Sequence, residues 1–280
     1  MANIYEDPST MLPLQQQNKQ LSVWFILAVL LSLGACTSKD GDFNVFSPEE
    51  DVAMGARYDA EMLDQSSAYP ILPENQYPEV YKRVRSMVEN ILNSDYILHR
   101  DEFKWEVKVL QDDSVLNAFC TPGGFIYVYT GLIKYLDSED QLAGVLGHEI
   151  AHADLRHSSE QLTRNAGIKL VLMLILGDGS SLVDIAGNLA GLTFSRSDET
   201  EADLQSVRYL YDTDYDPRGV ARFFEKMEAK GESLGPLVFL STHPNPENRV
   251  FKIMEEWKKL GAKQGEERAA SYNALKEMLP

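Results

Sequence analysis

The sequence predicts an α+β protein that is mostly helical and carries a small antiparallel sheet. Apolar residues recur at helical spacing along most of the 280 residues, two stretches carry helix-start signals, and strand-like alternation is confined to three short windows. With 44% apolar residues in the chain, residues 47–260 are long enough to bury a core of ordinary size. They are expected to form one domain, with 261–280 as a C-terminal helix packed on it or trailing it.

Taken in order, the chain opens with a segment that reads as an address rather than as fold. Leu21 to Ala35 is apolar except for Ser22 and Ser32. That run is short for a membrane span, which needs about 20 residues, and suits the core of a signal peptide. Leu33-Gly34-Ala35-Cys36 looks like a bacterial lipobox, so 1–35 is expected to be a lipoprotein signal peptide and Cys36 the lipidated first residue. Only Lys19 supplies positive charge before the core, against Glu6 and Asp7, which departs from the usual positive start. Thr37 and Ser38 follow the cysteine with no aspartate beside it, by analogy an outer-membrane sorting signal, with the domain facing the periplasm. Residues 36–46 would be the tether.

Ser47-Pro48-Glu49-Glu50 then reads as a capping box with proline at the first helical position. A helical pattern follows over 78–93, and strand patterns lie near 104–110, 114–119 and 124–130. In the last, Phe125, Tyr127 and Tyr129 alternate with Ile126, Val128 and Thr130 after a Pro122-Gly123-Gly124 turn. Ser138-Glu139-Asp140-Gln141 reads as another capping box, and Leu142, Val145 and Leu146 continue it as an apolar stripe. Further on, 168–192 is an interrupted apolar stretch, too broken to span a bilayer and suited to core, a lid or a membrane-touching surface. Helical patterns return over 217–230, 246–260 and 265–279, and no internal repeat is visible.

Charge and cysteines narrow the function classes. The formal net charge is −17, and no Lys/Arg stripe is present, which argues against a nucleic-acid partner. If Cys36 carries lipid, Cys120 stands alone and no internal disulfide is available, so packing must supply the stability. Cys120 itself reads as a small core residue beside Phe119.

The chemistry is concentrated in His148-Glu149-Ile150-Ala151-His152. Residues four apart on a helix share a face, so the two imidazoles can converge on one metal ion while Glu149 sits beside it. That is where a carboxylate must stand to take a proton from metal-bound water, whose pKa falls to about 7. A catalytic zinc takes three protein ligands, so a third must come from elsewhere. A continuation as His-x-x-Gly-x-x-His fails, because Leu155 and Ser158 occupy the glycine and histidine positions and His157 misses by one. The stretch from Ser195 to Asp203 offers a glutamate instead: Glu199 and Asp203 are four apart on an expected helix, the one able to ligate, the other to reach the outer nitrogen of a ligating histidine.

Four patches together resemble the zinc metallopeptidase family of the CAAX prenyl protease and HtpX, closest in layout to periplasmic BepA- or LoiP-type envelope peptidases. They are Asn117-Ala118-Phe119 with Pro122-Gly123-Gly124, the His148–His152 run, Glu199 with Ala202-Asp203, and Ser241-Thr242-His243-Pro244 followed by Arg249. The likeness covers about 47–260. It implies a zincin-like (gluzincin) fold with the sheet beside the metal helix and one Zn2+ per chain held by His148, His152 and Glu199. By the same resemblance Asp203 supports a ligand, Glu149 is the general base, and His243 and Arg249 face the metal, as a gate on its open position or as stabilisers of the oxyanion. Glu201 is the local competitor for ligation and fits a solvated helix face better. His243-Pro244-Asn245-Pro246 also reads as a turn opening a helix, with Arg249 on its surface. The strand Gly124, Phe125, Ile126 and Tyr127 is expected to pair with the substrate backbone, and Asn117 serves either the site or a turn.

The function expected from these residues is a zinc-dependent endopeptidase of the bacterial cell envelope, cutting unfolded or misassembled proteins and held to the membrane by lipid. A different class is a chaperone-like outer-membrane assembly factor that binds envelope proteins with little proteolysis. A third is a structural zinc protein, which would need neither Glu149 nor an open coordination position.

Overall fold

A computed structural model describes residues 44–65, 69–165, 193–230, 238–244 and 248–280. The expected signal peptide, Cys36, most of the tether and the apolar stretch 168–192 lie outside the described residues. Val45–Pro280 forms one compact unit. Among the described residues no helix is long and apolar enough to cross a membrane.

Helix α1 (Pro48–Asp64) starts as its sequence dictates: Ser47 Oγ accepts from the Glu50 N–H, and Glu50 accepts from the Ser47 N–H at 2.7 Å. Helix α2 (Pro78–Leu92) buries the stripe Val80, Val84, Met87, Val88 and Ile91. Three strands follow, β1 (Glu106–Leu110), β2 (Ala118–Thr121) and β3 (Phe125–Tyr129), and then α3 (Thr130–Tyr135) and α4 (Glu139–Asp154). Residues 157–165 are helical. The remaining elements are α5 (Arg196–Tyr211), α6 (Gly219–Lys230), α7 (Val238–Thr242), α8 (Arg249–Lys259) and α9 (Ala269–Lys276).

The sheet is mixed rather than antiparallel. Its order is β1-β3-β2, with β2 antiparallel and β1 parallel to β3. The hairpin at Pro122-Gly123-Gly124, with both glycines at positive φ, forces β2 and β3 to oppose each other. β3 inserts between its predecessors and runs with β1.

Two start signals differ from expectation. Ser138 does stand at the N-cap of α4, but its hydroxyl donates to Asp140, and Gln141 takes the N–H of Asp137, so no capping box forms. Conversely, Ser195 and Asp198 cap α5 reciprocally, a box formed with aspartate at the third position.

Every residue of α4 is buried, so it is the central helix of the fold rather than an amphipathic one. It packs against α5, α6, α2 and β2. The approach is close at Gly144, where a Cβ would fall 2.2 Å from the Val220 backbone nitrogen. Ser206 Oγ on α5 donates to the Gly144 carbonyl at 2.8 Å. At the end of α4 the buried Asp154 accepts from the Leu98 and His99 N–H groups and from Tyr209 Oη, tying the helix to the loop before β1 and to α5. Helix α9 docks by Tyr272 and Leu275, with Tyr272 Oη donating to the Ile133 carbonyl at 2.7 Å.

Candidate metal centre

Helical geometry puts His148 and His152 one turn apart on the face of α4 that meets α5, and the first turns of α5 bring Glu199 and Asp203 opposite them. His148 Nε2 and His152 Nε2 are 3.1 Å apart. Glu199 Oε2 lies 3.5 Å from His148 Nε2, and Oε1 lies 3.3 Å from His152 Nε2. His243, after α7, adds a fourth donor: its Nδ1 is 3.4 Å from His148 Nε2 and 2.9 Å from Glu199 Oε1. All four residues are buried, and one donor atom from each falls within 4.8 Å of the others.

This donor set fits a cation. A tetrahedral ion with bonds of about 2.0–2.1 Å spaces its ligand atoms about 3.3 Å apart, and the close pairs here, at 2.9–3.5 Å, bracket that value. Imidazole nitrogens and a carboxylate are the ligand types that suit zinc and several other divalent ions.

The electrostatics follow from the same convergence. Burial alone would raise the Glu199 carboxyl, but His148, His152 and His243 hold it well below the carboxylate range. Burial pulls His148 down, yet Asp203 and Glu199 outweigh it and raise the imidazole to about 9. His152 meets only one carboxylate and two other imidazoles, so burial dominates and holds it well below its ordinary value.

Each ligand is held from behind. His148 Nδ1 is 2.9 Å from Asp203 Oδ1, close enough for charge pairing although the N–H does not point squarely at the oxygen. Arg249, on α8, donates from Nε to Asp203 Oδ2 at 2.6 Å and from a terminal nitrogen to Glu199 Oε2 at 2.8 Å. Its guanidinium also lies 3.7 Å from the Phe224 ring centroid. Arg249 is therefore buried behind the carboxylates rather than on the surface, where it holds Glu199 and Asp203. His152 rests on Phe194, stacked at 3.9 Å, and His243 on Phe239 at 4.5 Å.

Two neighbours were not read as functional from sequence. His157 places Nδ1 2.9 Å from His152 Nδ1, and its Nε2 is 3.5 Å from Glu201 Oε2, a charge contact too long for a good hydrogen bond. Glu201 is half-exposed, as expected of a helix-face carboxylate, but His157 holds its carboxyl below the usual value. The signal lies at Arg156: its φ of 62° ends the helical run and turns His157 back toward α4. Arg156 is fixed there by Asp51 of α1 at 2.6 Å.

Glu149 opens on a cleft of about 280 Å³ that His243, Asn117, Phe119, Thr121 and Tyr58 also line. Burial raises its carboxyl, with His243 and His148 opposing, which suits a group that must accept a proton. Glu149 Oε1 is 3.5 Å from His243 Nε2, and both atoms are buried without a hydrogen-bond partner among the described residues. Asn117 Oδ1 and Thr121 Oγ1 are likewise buried and unpartnered. Cys120 is buried and its thiol is pushed well up by burial and then by Glu149, which leaves it protonated and inert.

The strand expected to meet a substrate is corrected. β3 is the middle strand, its 125–129 backbone paired with β1 on one side and β2 on the other, and Gly124 lies in the hairpin turn, bonded to Glu106 and Thr121. Among the described residues β2 is the edge strand on the cleft side. Tyr129 N–H bonds to the Asn117 carbonyl, so by antiparallel alternation Phe119 and Thr121 also face β3, while the N–H and C=O of Ala118 and Cys120 point outward.

Comparison with known proteins gives an independent view of this arrangement. A model described as peptidase family M48 matches residues 78–257. Among curated proteins, the mitochondrial metalloendopeptidase OMA1 of Schizosaccharomyces pombe is 35% identical over 165 residues, covering 56% of this chain and 47% of that protein. OMA1 of Arabidopsis thaliana is 36% identical over 171 residues, 56% of this chain and 34% of that one. The beta-barrel assembly-enhancing protease of Escherichia coli (strain K12) is 31% identical over 157 residues, 50% of this chain and 32% of that protein. The match thus spans half or less of each relative.

Proposed function

The chain belongs to peptidase family M48, and from that premise we propose that it is a zinc-dependent endopeptidase acting on unfolded or misassembled proteins. The observation that carries the proposal is the convergence of His148, His152 and Glu199 at one point with Glu149 beside them on an open cleft. A cation held there supplies Lewis-acid polarisation of a carbonyl and activation of water. Glu149 takes the proton of the attacking water and delivers it to the departing amine. The outward N–H and C=O groups of Ala118 and Cys120 on β2 hold an extended peptide by main-chain bonds, with little demand on its side chains. Asp203 and Arg249 fix the ligands, and Phe194 keeps water from the outer side of His152.

His243 supports a second reading of the resting protein. With its Nδ1 among the donor atoms, it would supply a fourth ligand to a cation held there, in place of a substrate carbonyl or water. A closed site leaves a peptide-binding cleft without cleavage, which is the assembly-factor alternative, and one relative is named for assembly as well as proteolysis. On this proposal the protein acts in the bacterial envelope, lipidated at Cys36 and anchored in the outer membrane toward the periplasm. The lipobox-like Leu33–Cys36 supports that placement, and acyl labelling lost in Cys36→Ala tests it.

The activity is tested by cleavage of an unfolded protein such as casein. Purified protein cuts it, a chelator abolishes cutting, and added Zn2+ restores it. Cutting that persists after the metal is removed and measured to be absent contradicts the proposal.

A further inference from the structure

One wall of the cleft comes from outside the residues that match the family. Tyr58 stands on α1 and Tyr69 follows it, both before residue 78, and both line the cleft together with Phe119, Tyr129 and Glu149. The wall is rigid. Phe119 stacks on Tyr127 at 4.6 Å, and Tyr58 meets both rings edge-on at 6.4 and 6.3 Å. Tyr127 is itself anchored by its hydroxyl, which donates to Asp59 Oδ1 at 2.6 Å, and Asp59 pairs with Lys108. The hydroxyls of Tyr58, Tyr69 and Tyr129 have no hydrogen-bond partner among the described residues, and burial together with Tyr69 pushes the phenols of Tyr58 and Tyr129 up to about 12.

We propose that Tyr58, Tyr69, Phe119 and Tyr129 form a specificity pocket for an aromatic side chain of the substrate beside the scissile bond. Rings prefer edge-to-face and offset partners, which these walls supply from several directions. The whole cleft, at about 280 Å³ including the part beside Glu149, is larger than the cavity of about 150 Å³ that holds benzene. No lysine or arginine lines the cleft among the described residues, so an acidic side chain would enter unpaired. The three phenol hydroxyls serve the polar edge of a tyrosine or the peptide groups flanking the ring.

The proposal rests on reading the cleft as that of a peptidase, and two readouts separate the two. Quenched-fluorescent peptides identical except for phenylalanine or alanine at the residues flanking the scissile bond are supplied to the zinc-loaded protein. The ratio of kcat/KM for phenylalanine over alanine is expected to be about tenfold or more, to fall toward one in Tyr58→Ala and Tyr69→Ala, and to be retained in Tyr58→Phe. The absence of a preference, or its survival in both alanine variants, overturns the pocket. If neither peptide is cut, anisotropy of the same labelled peptides decides. Phenylalanine-selective binding lost in Tyr58→Ala supports the pocket and overturns only the peptidase reading, while unselective or absent binding overturns the pocket.

Discussion

His157 Nδ1 lies 2.9 Å from His152 Nδ1. With a metal on His152 Nε2, its Nδ1 would carry the proton and donate outward, and His157 would be the acceptor that fixes the tautomer and ring angle. His157→Ala is expected to weaken zinc binding about 10–100-fold, measured by competition with a chelator, while His157→Gln, which keeps an acceptor oxygen, retains most of it. An unchanged affinity in the alanine variant would remove His157 from the account.

Arg249 sets Nε and one terminal nitrogen of its buried guanidinium on Asp203, and the same terminal nitrogen on Glu199. Arg249→Met removes the cation that the two buried carboxylates share and is expected to cost about 3–5 kcal/mol, read by urea unfolding of the metal-free protein. Arg249→Lys recovers little, because an ammonium cannot span both carboxylates with a planar fork. A lysine variant as stable as the parent would show that charge alone is needed.

His99 stacks on Phe103 and sets its Nδ1 2.8 Å from the Asp154 carbonyl and 3.5 Å from its carboxylate. Burial lowers the imidazole, but Asp154 outweighs it and the net shift is upward from 6.5. A histidine raised on folding contributes stability that is fully present below its unfolded pKa and lost as pH rises through the folded one. The penalty of His99→Gln is therefore expected to be larger at pH 5.5 than at pH 9. A penalty independent of pH would assign His99 to packing alone.

A Cβ at Gly144 would meet the Val220 nitrogen at 2.2 Å, where α4 and α6 nearly touch. Gly144→Ala is expected to cost about 1–3 kcal/mol by overpacking, seen as a lower Tm by about 2–4 °C per kcal/mol. A variant with the parent's Tm would show that the two helices can separate freely.

The parts of the site that were legible in the sequence are those fixed by local geometry. His148 and His152 share a face because a helix repeats every 3.6 residues, and Glu199 and Asp203 follow the same rule. What depends on tertiary arrangement was not legible. Alternation marks 124–130 as a strand but does not say that it lies between two others, whereas the edge strand on the cleft side among the described residues is β2. A single left-handed residue at Arg156 carries His157 back to His152, a turn that spacing does not reveal. Arg249 reads equally well as surface or site until α8 is seen to pack on α5. Tyr58 and Tyr69 reach the cleft from far upstream, and nothing in their own neighbourhood marks them.

On the proposed function Glu149 is the general base of a metal-dependent peptidase. It is tested most directly by Glu149→Gln, with casein cleavage and bound zinc measured on the same sample. A protein that keeps its zinc and its fold and loses cleavage by several orders of magnitude is the predicted result. A Glu149→Gln protein that still cuts at the parent's rate with the metal in place would contradict it.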